Sequence, residues 1–169
     1  MKIESLRDLF EFKLRCAYDI EKKLVKEGLP GMIKGSSTPE LRQALEQHLE
    51  ETRSHVSRLE QVFSAIGTKA ETEDDDVIDE MTSTAEDIID DIDASPLRDA
   101  ALIVAGNDVE HHEMAIYGSL VAFAQQLGFR DAVSLLQRTL EEEKAADAKL
   151  TAIAETTVNP AAANERQAA

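Results

Sequence analysis

The chain has one cysteine, Cys16, no tryptophan, and only seven glycines and four prolines in 169 residues. A lone cysteine excludes a disulfide framework and any paired-cysteine metal knuckle, and it fits a reducing compartment. Cys16 has no nucleophile setting around it and reads as a small helix residue. Aromatic residues are sparse, with five Phe and two Tyr. No segment approaches the ~20 consecutive apolar residues of a membrane span. The start, Met1-Lys2-Ile3-Glu4-Ser5, has no apolar run behind it, so no secretory signal is expected. Basic residues are outnumbered by 34 to 18, for a net charge of −16. Such a surface repels a phosphate backbone and an anionic bilayer, so neither nucleic acid nor membrane is an expected partner. It concentrates cations instead. There is no phosphate-binding glycine loop and no nucleophile elbow. The expectation is a soluble, cytoplasmic protein.

What remains is rich in Ala, Leu and Glu and patterned for helix. Leu6, Phe10, Leu14, Ala17, Glu21 and Leu24 share one helix face, predicting a first helix over Glu4–Glu27 that Gly28, Pro30, Gly31 and Gly35 break. Thr38-Pro39-Glu40 opens a second helix by cap, first-turn proline and first-turn acid, and Gly67 stops it. An acidic run then leads into a short amphipathic crossover helix over Asp76–Asp91. Ser95-Pro96 opens a third helix that reaches Leu127 before Gly128. A fourth runs over Asp131–Glu155, antiparallel to the third because the connection is short. Asn159-Pro160 is expected to end regular structure. The domain organisation is thus one bundle over residues 1–158 and a disordered tail over 159–169. The fold class is all-α.

Two of these helices carry acids where the core pattern calls for apolar residues. The third helix's inward stripe reads Ala100, Ile103, Asn107, Glu110, Met114, Tyr117, Val121, Ala124. The fourth reads Val133, Leu136, Leu140, Glu143, Asp147, Leu150, Ile153. A carboxylate in mid-stripe is costly to bury unpaired, and carboxylates converging from facing helices are how a bundle holds a metal pair. Glu21 interrupts the first stripe in the same way. All four histidines neighbour glutamates, and imidazole with carboxylate suits iron, manganese or zinc. The predicted metal set is Glu21, His48, Glu51, Glu110, Glu113, Glu143 and Asp147. Glu21, Glu51, Glu110 and Glu143 are expected to converge, one from each helix. His55 ranks below His48, and His111 and His112 read as hydrogen-bonding or surface residues. Glu50, Glu141 and Glu142 read as solvent-facing, and Tyr117 as a core residue with a satisfied hydroxyl. A weak internal echo pairs Leu49-Glu50-Glu51 with Leu140-Glu141-Glu142. It selects Glu142, whereas the stripe selects Glu143, and burial favours the stripe.

Several segments together resemble the YciE/YciF family of ferritin-like stress-response proteins. They are Leu6-Arg7-Asp8-Leu9-Phe10, Tyr18-Asp19-Ile20-Glu21-Lys22, His48-Leu49-Glu50-Glu51-Thr52, Arg98-Asp99-Ala100-Ala101-Leu102, Val109-Glu110-His111 with Glu113 and Tyr117, and Glu141-Glu142-Glu143-Lys144 with Asp147. The resemblance runs from about Leu6 to Glu155. It implies a ferritin-like four-helix bundle with an additional crossover helix, and a homodimer. Leu9, Ile20 and Val25 beside the first stripe are consistent with a second buried face. Kinship with the rubrerythrin class implies a dinuclear iron site acting on a small oxidant such as oxygen or peroxide. That class places His three residues after Glu on its second and fourth helices. Here Thr52 precedes His55, and Glu143 precedes Ala146, so the pattern is broken at both places, with His48 before Glu51 and Asp147 after Glu143 as the candidate substitutes. The alternative is a metal-free dimeric structural or interaction protein of the stress response.

Overall fold

A computed structural model describes residues 2–165, and among the described residues there is helix and no strand. The elements are α1 (Leu6–Lys23), a π-helical turn (Leu24–Gly28), α2 (Leu29–Gly35), α3 (Pro39–Ile66), α4 (Asp76–Asp91), α5 (Pro96–Leu127), α6 (Arg130–Ile153), a second π-helical turn (Ala154–Val158) and α7 (Asn159–Glu165). The long helices α1, α3, α5 and α6 form the bundle. α1 packs on α3 and α5, and α6 packs on α3 and α5, while α4 crosses over α5 and α2. The core between them holds Phe10, Leu14, Leu41, Leu45, Leu59, Leu102, Leu120 and Leu136 with almost no exposure.

The caps follow from local chemistry. Ser5 accepts from Asp8 N–H, Asp75 from Val77 and Ile78 N–H, and Ser95 from Arg98 N–H, each satisfying donors at a helix start. α3 and α5 end at Gly67 (φ +75°) and Gly128 (φ +76°), where glycine supplies the left-handed turn. Thr38 precedes α3 as expected but does not cap it with its side chain. Its hydroxyl donates to Asp99 of α5, and Asp99 also accepts from Ser37 N–H at 2.8 Å and Thr38 N–H at 2.6 Å. This fully buried carboxylate pins the α2–α3 connection to the second hairpin.

The first helix does not break at Gly28. It continues through a π-helical turn to Gly35, with Leu29 N–H bonded to Leu24 C=O. A proline inside an α-helix lacks a donor and collides with the carbonyl four residues back. The wider turn ahead of Pro30 relieves both problems. The same device recurs at the other end. Asn159 N–H bonds to Ala154 C=O, and the helix passes Pro160 to reach Glu165. The expected stop at Asn159-Pro160 and the disordered tail are therefore corrected for residues 159–165: α7 is helical and packs on α5. The rest of that tail lies outside the described residues. Gly35 earns its place by proximity, since a Cβ there would sit 2.7 Å from Ile89 of α4. Ile20 is fully buried, so it offers nothing to a second face. Leu9 and Val25 are half-buried.

Candidate metal centre

Midway along the bundle four carboxylates and two imidazoles meet. His48 (α3), Glu110 and Glu113 (α5) and Glu143 (α6) form one group. Glu21 (α1), His55 (α3) and Glu143 form a second. Within each group one ligand atom per residue lies within 4.8 Å of all the others, and every member is buried. Glu143 belongs to both groups. The antiparallel pairing of α3 with α6 makes this possible, since Gln47 touches Lys149 at one level and Arg58 touches Thr139 three turns away. The two imidazoles sit edge-to-face, with ring centres 6.3 Å apart.

The carboxylates are short of donors. Glu21 and Glu110 each leave one oxygen buried without a hydrogen-bond partner, and Glu113 and Glu143 leave both, so six of the eight oxygens are unpartnered. Tyr117 donates its hydroxyl to the other oxygen of Glu21. His48 Nε2 stands 3.1 Å from Glu110 and 3.9 Å from Glu143. His55 Nδ1 stands 3.0 Å from Glu143 and 3.4 Å from Glu21, but is not aligned for a hydrogen bond. Buried, uncompensated acids are rare in native cores and call for an explanation.

The histidines are held from behind. His55 Nε2 lies 2.9 Å from Glu142, which also accepts from Arg58 at 2.8 Å and from Arg138 at 3.0 Å. Arg58 is itself buried and donates to Thr139 at 2.6 Å. With Nε2–H committed to Glu142, the Nδ1 lone pair faces Glu21 and Glu143. A lone pair among carboxylates needs a cation between them, either a proton or a metal ion. His48 has a looser support. Its Nδ1 lies 3.6 Å from Glu51, whose side chain is one-third exposed.

The same crowding moves the titrations. Burial pushes Glu113 well above the usual carboxylate range, and the charges of Glu143, Glu21 and Glu110 push it further. Burial raises Glu143 to about 7, against the opposing pull of His55. Burial alone would depress both histidines. Glu110 and Glu51 outweigh it at His48 and hold that imidazole well above its ordinary value. Glu143 and Glu21 do the same at His55, raising it to about 10. Burial and the Glu21 charge push the Tyr117 hydroxyl far up as well. In the metal-free protein, then, protons hold the places that cations would take. Mixed imidazole and carboxylate donors, preformed, buried and lacking hydrogen-bond donors, fit iron, manganese or zinc.

Of the seven residues expected from sequence, Glu21, His48, Glu110, Glu113 and Glu143 come together. Glu51 and Asp147 do not. Glu51 points to the rim, bonded to Gln47 at 2.8 Å, because α3 turns His48 and His55 inward and leaves Glu51 on their flank. Asp147 lies one turn past Glu143 and meets His111 at 3.2 Å. α3 therefore contributes no carboxylate to the convergence, which corrects the expected one-per-helix set. His55, ranked below His48, is central. Glu142, read as solvent-facing, is half-buried and holds His55. Arg58 is not among the site residues expected from sequence, where it figures only in the internal echo. Its only sequence signal is a long basic side chain one turn beyond His55, opposite an acid-rich helix.

The comparisons agree with this architecture. The chain matches the family described as a domain of unknown function, DUF892, over residues 5–163. It is 39% identical to Protein YciF of Escherichia coli K12 over 166 residues, covering 98% of this chain and 99% of that one. The crystal structure of the Escherichia coli stress protein YciF superposes with a TM-score of 0.89 at 38% identity, covering 93% of this chain and 99% of that one. YcfI from Rhodopseudomonas palustris, described as structural, gives 0.86 at 38%, covering 89% and 95%. A Xanthomonas campestris protein at 21% identity shares the fold, with a TM-score of 0.76 over 96% of this chain and 99% of that one. The chain belongs to the YciE/YciF family of bacterial stress proteins.

Proposed function

We propose that this chain is a stress-response protein holding two metal ions, iron foremost, in the buried cluster, and that it consumes peroxide or another small oxidant. The observation that carries the reading is the set of six unpartnered oxygens on four buried carboxylates around two imidazoles. The two groups sharing Glu143 favour a pair of ions over a single one. Glu110, Glu113 and His48 would hold the first ion, Glu21 and His55 the second, and Glu143 would bridge. A ferrous pair there would supply two electrons to a small oxidant. The chain's own part is to orient His55 through Glu142 and Arg58, to keep bulk water out, and to hold a proton on Tyr117 beside Glu21. Metal binding must displace the protons on Glu113, Glu143 and the imidazoles, so uptake releases acid. Assembly as a homodimer is part of the proposal. Val104, 62% exposed, and Leu97, 52% exposed, offer an apolar outer face on α5. A monomer by light scattering at micromolar concentration would refute that part.

A second reading, a metal-free structural protein, draws on two observations. The protonated histidines already pair with Glu110, Glu21 and Glu143, and a relative is described as structural. Metal analysis of untagged protein separates the readings. The proposal expects about two ions per chain, and fewer in Glu110→Gln and Glu143→Gln. Unchanged stoichiometry in both variants would overturn it.

A further inference from the structure

Where α6 carries Ala146 three residues after Glu143, the side chain stops at Cβ. Beside it, between α3 and α6, lies a cavity of about 70 Å³. One end is lined by His48 and Glu110, both members of the first metal group, whereas Glu21 and His55 do not line it. Its walls are apolar, with Ala44 and Leu45 on α3 and Ala145, Ala146 and Leu150 on α6. Its other end is lined by Gln47, Glu51 and Lys149, all at least partly exposed. There Lys149 Nζ donates to Gln47 at 2.6 Å, spanning from α6 to α3, and Gln47 in turn donates to Glu51 at 2.8 Å.

We propose that this cavity is the binding pocket for the exogenous ligand of the metal centre, a small oxidant of two or three heavy atoms, with the Gln47–Lys149 contact as a strap across its entrance. The proposal rests on the metal reading above and adds to it an address, a direction and a size limit. The volume decides the size. A water molecule needs about 10–15 Å³ by this measure and a cavity of about 150 Å³ holds benzene, so the pocket has room for a peroxide-sized molecule and not for an aromatic one. The lining decides the direction. Entry from this side reaches His48 and Glu110, which would hold the first ion, and not Glu21 or His55 of the second group. The absent side chain at Ala146 is what leaves the approach open. Any larger residue there would fill the space between α6 and His48. The strap is well suited to a gate. It is a single contact between two exposed, flexible side chains, so it opens without moving a helix.

The test uses untagged, iron(III)-loaded protein titrated with azide, a three-atom anion, followed by its charge-transfer absorption. Ala146→Leu should weaken azide at least about tenfold while iron stoichiometry stays at the wild-type value. Gln47→Ala, which removes the strap and keeps the Lys149 charge, should speed azide association several-fold. Unchanged azide affinity in Ala146→Leu overturns the pocket, and an unchanged rate in Gln47→Ala overturns the strap. If Ala146→Leu loses iron, Ala44→Leu narrows the same cavity from the α3 wall and is judged by the same affinity criterion. Wild-type protein that binds no iron overturns the metal reading and this pocket together. Iron retained with azide unaffected overturns the pocket alone.

Discussion

Helices α3 and α6 face each other across the site with the same three-residue spacing, and each keeps a different half of it. On α3 the acid position is Thr52, whose buried hydroxyl donates to His48 C=O at 2.8 Å, and the imidazole position is His55. On α6 the acid is Glu143 and the imidazole position is Ala146. α3 thus supplies both histidines, and α1, α5 and α6 supply the carboxylates. His48, one turn before Thr52, stands 3.1 Å from Glu110 and 3.9 Å from Glu143. The two supports differ as well. His55 is clamped by Glu142 and Arg58 inside the bundle, while His48 leans on a rim glutamate.

Removing the residue the two groups share should have the largest effect. Glu143→Ala should abolish binding of both ions, whereas His48→Ala should leave one. Metal content per chain reads the contrast, and equal losses would mean that the groups are not separate. The unequal supports come next. Glu142→Ala should weaken metal affinity by about 10–100-fold, the usual cost of losing a ligand's hydrogen-bonded partner. Glu51→Ala, behind a 3.6 Å contact, should cost only a few-fold. Competition titration against a chelator measures both, and equal effects would erase the distinction between the histidines. In metal-free protein, Glu113→Leu should raise stability by about 1–3 kcal/mol, because it replaces a buried, unpartnered acid with an apolar side chain. Thermal denaturation that instead shows a loss would favour the structural reading.

The smallest effect is the pH dependence of the metal-free fold. His55 is raised to about 10, so its contribution is complete below its unfolded value near 6.5 and is lost as pH rises through 10. Glu143 is raised to about 7, so its protonated form favours folding below its unfolded value near 4.5, and that preference is lost as pH passes 7. Both signs agree. The metal-free protein should melt several degrees lower at pH 9 than at pH 6, and bound metal should flatten the slope. Calorimetry at the two pH values checks this, and a rising melting temperature would contradict it.

The bundle was legible in the sequence because burial leaves a periodic trace. The crossover over Asp76–Asp91 and the stops at Gly67 and Gly128 follow directly from caps and stripes. Glu110 and Glu143 stood out for the same reason, as acids in apolar positions. His55 was harder to rank because the stripe on α3 forks there, with His55 buried and Val56 half-buried beside it. Glu142 and Arg58 left no periodic trace. Their roles come from long side chains reaching between helices, which a single helix's pattern does not encode. The echo between Leu49-Glu50-Glu51 and Leu140-Glu141-Glu142 had a meaning that neither candidate register anticipated: Glu51 and Glu142 are the two residues that stand behind the histidines. Proline and glycine misled for the opposite reason. Their usual meaning as breakers holds only for a helix with regular spacing.

The π-helical turns carry a consequence for chain length. Each accommodates one more residue than an α-helical turn would over the same stretch. Deleting a single residue within Leu24–Gly28 would close the wide turn to a regular α-helical one and leave the helix after it in nearly the same register. Met32 would keep its place over Gly106 and Gly35 would still receive Ile89, but the Pro30 ring would meet a carbonyl. At these two places the chain absorbs the loss of a residue that elsewhere in a helix would turn all that follows by about 100°.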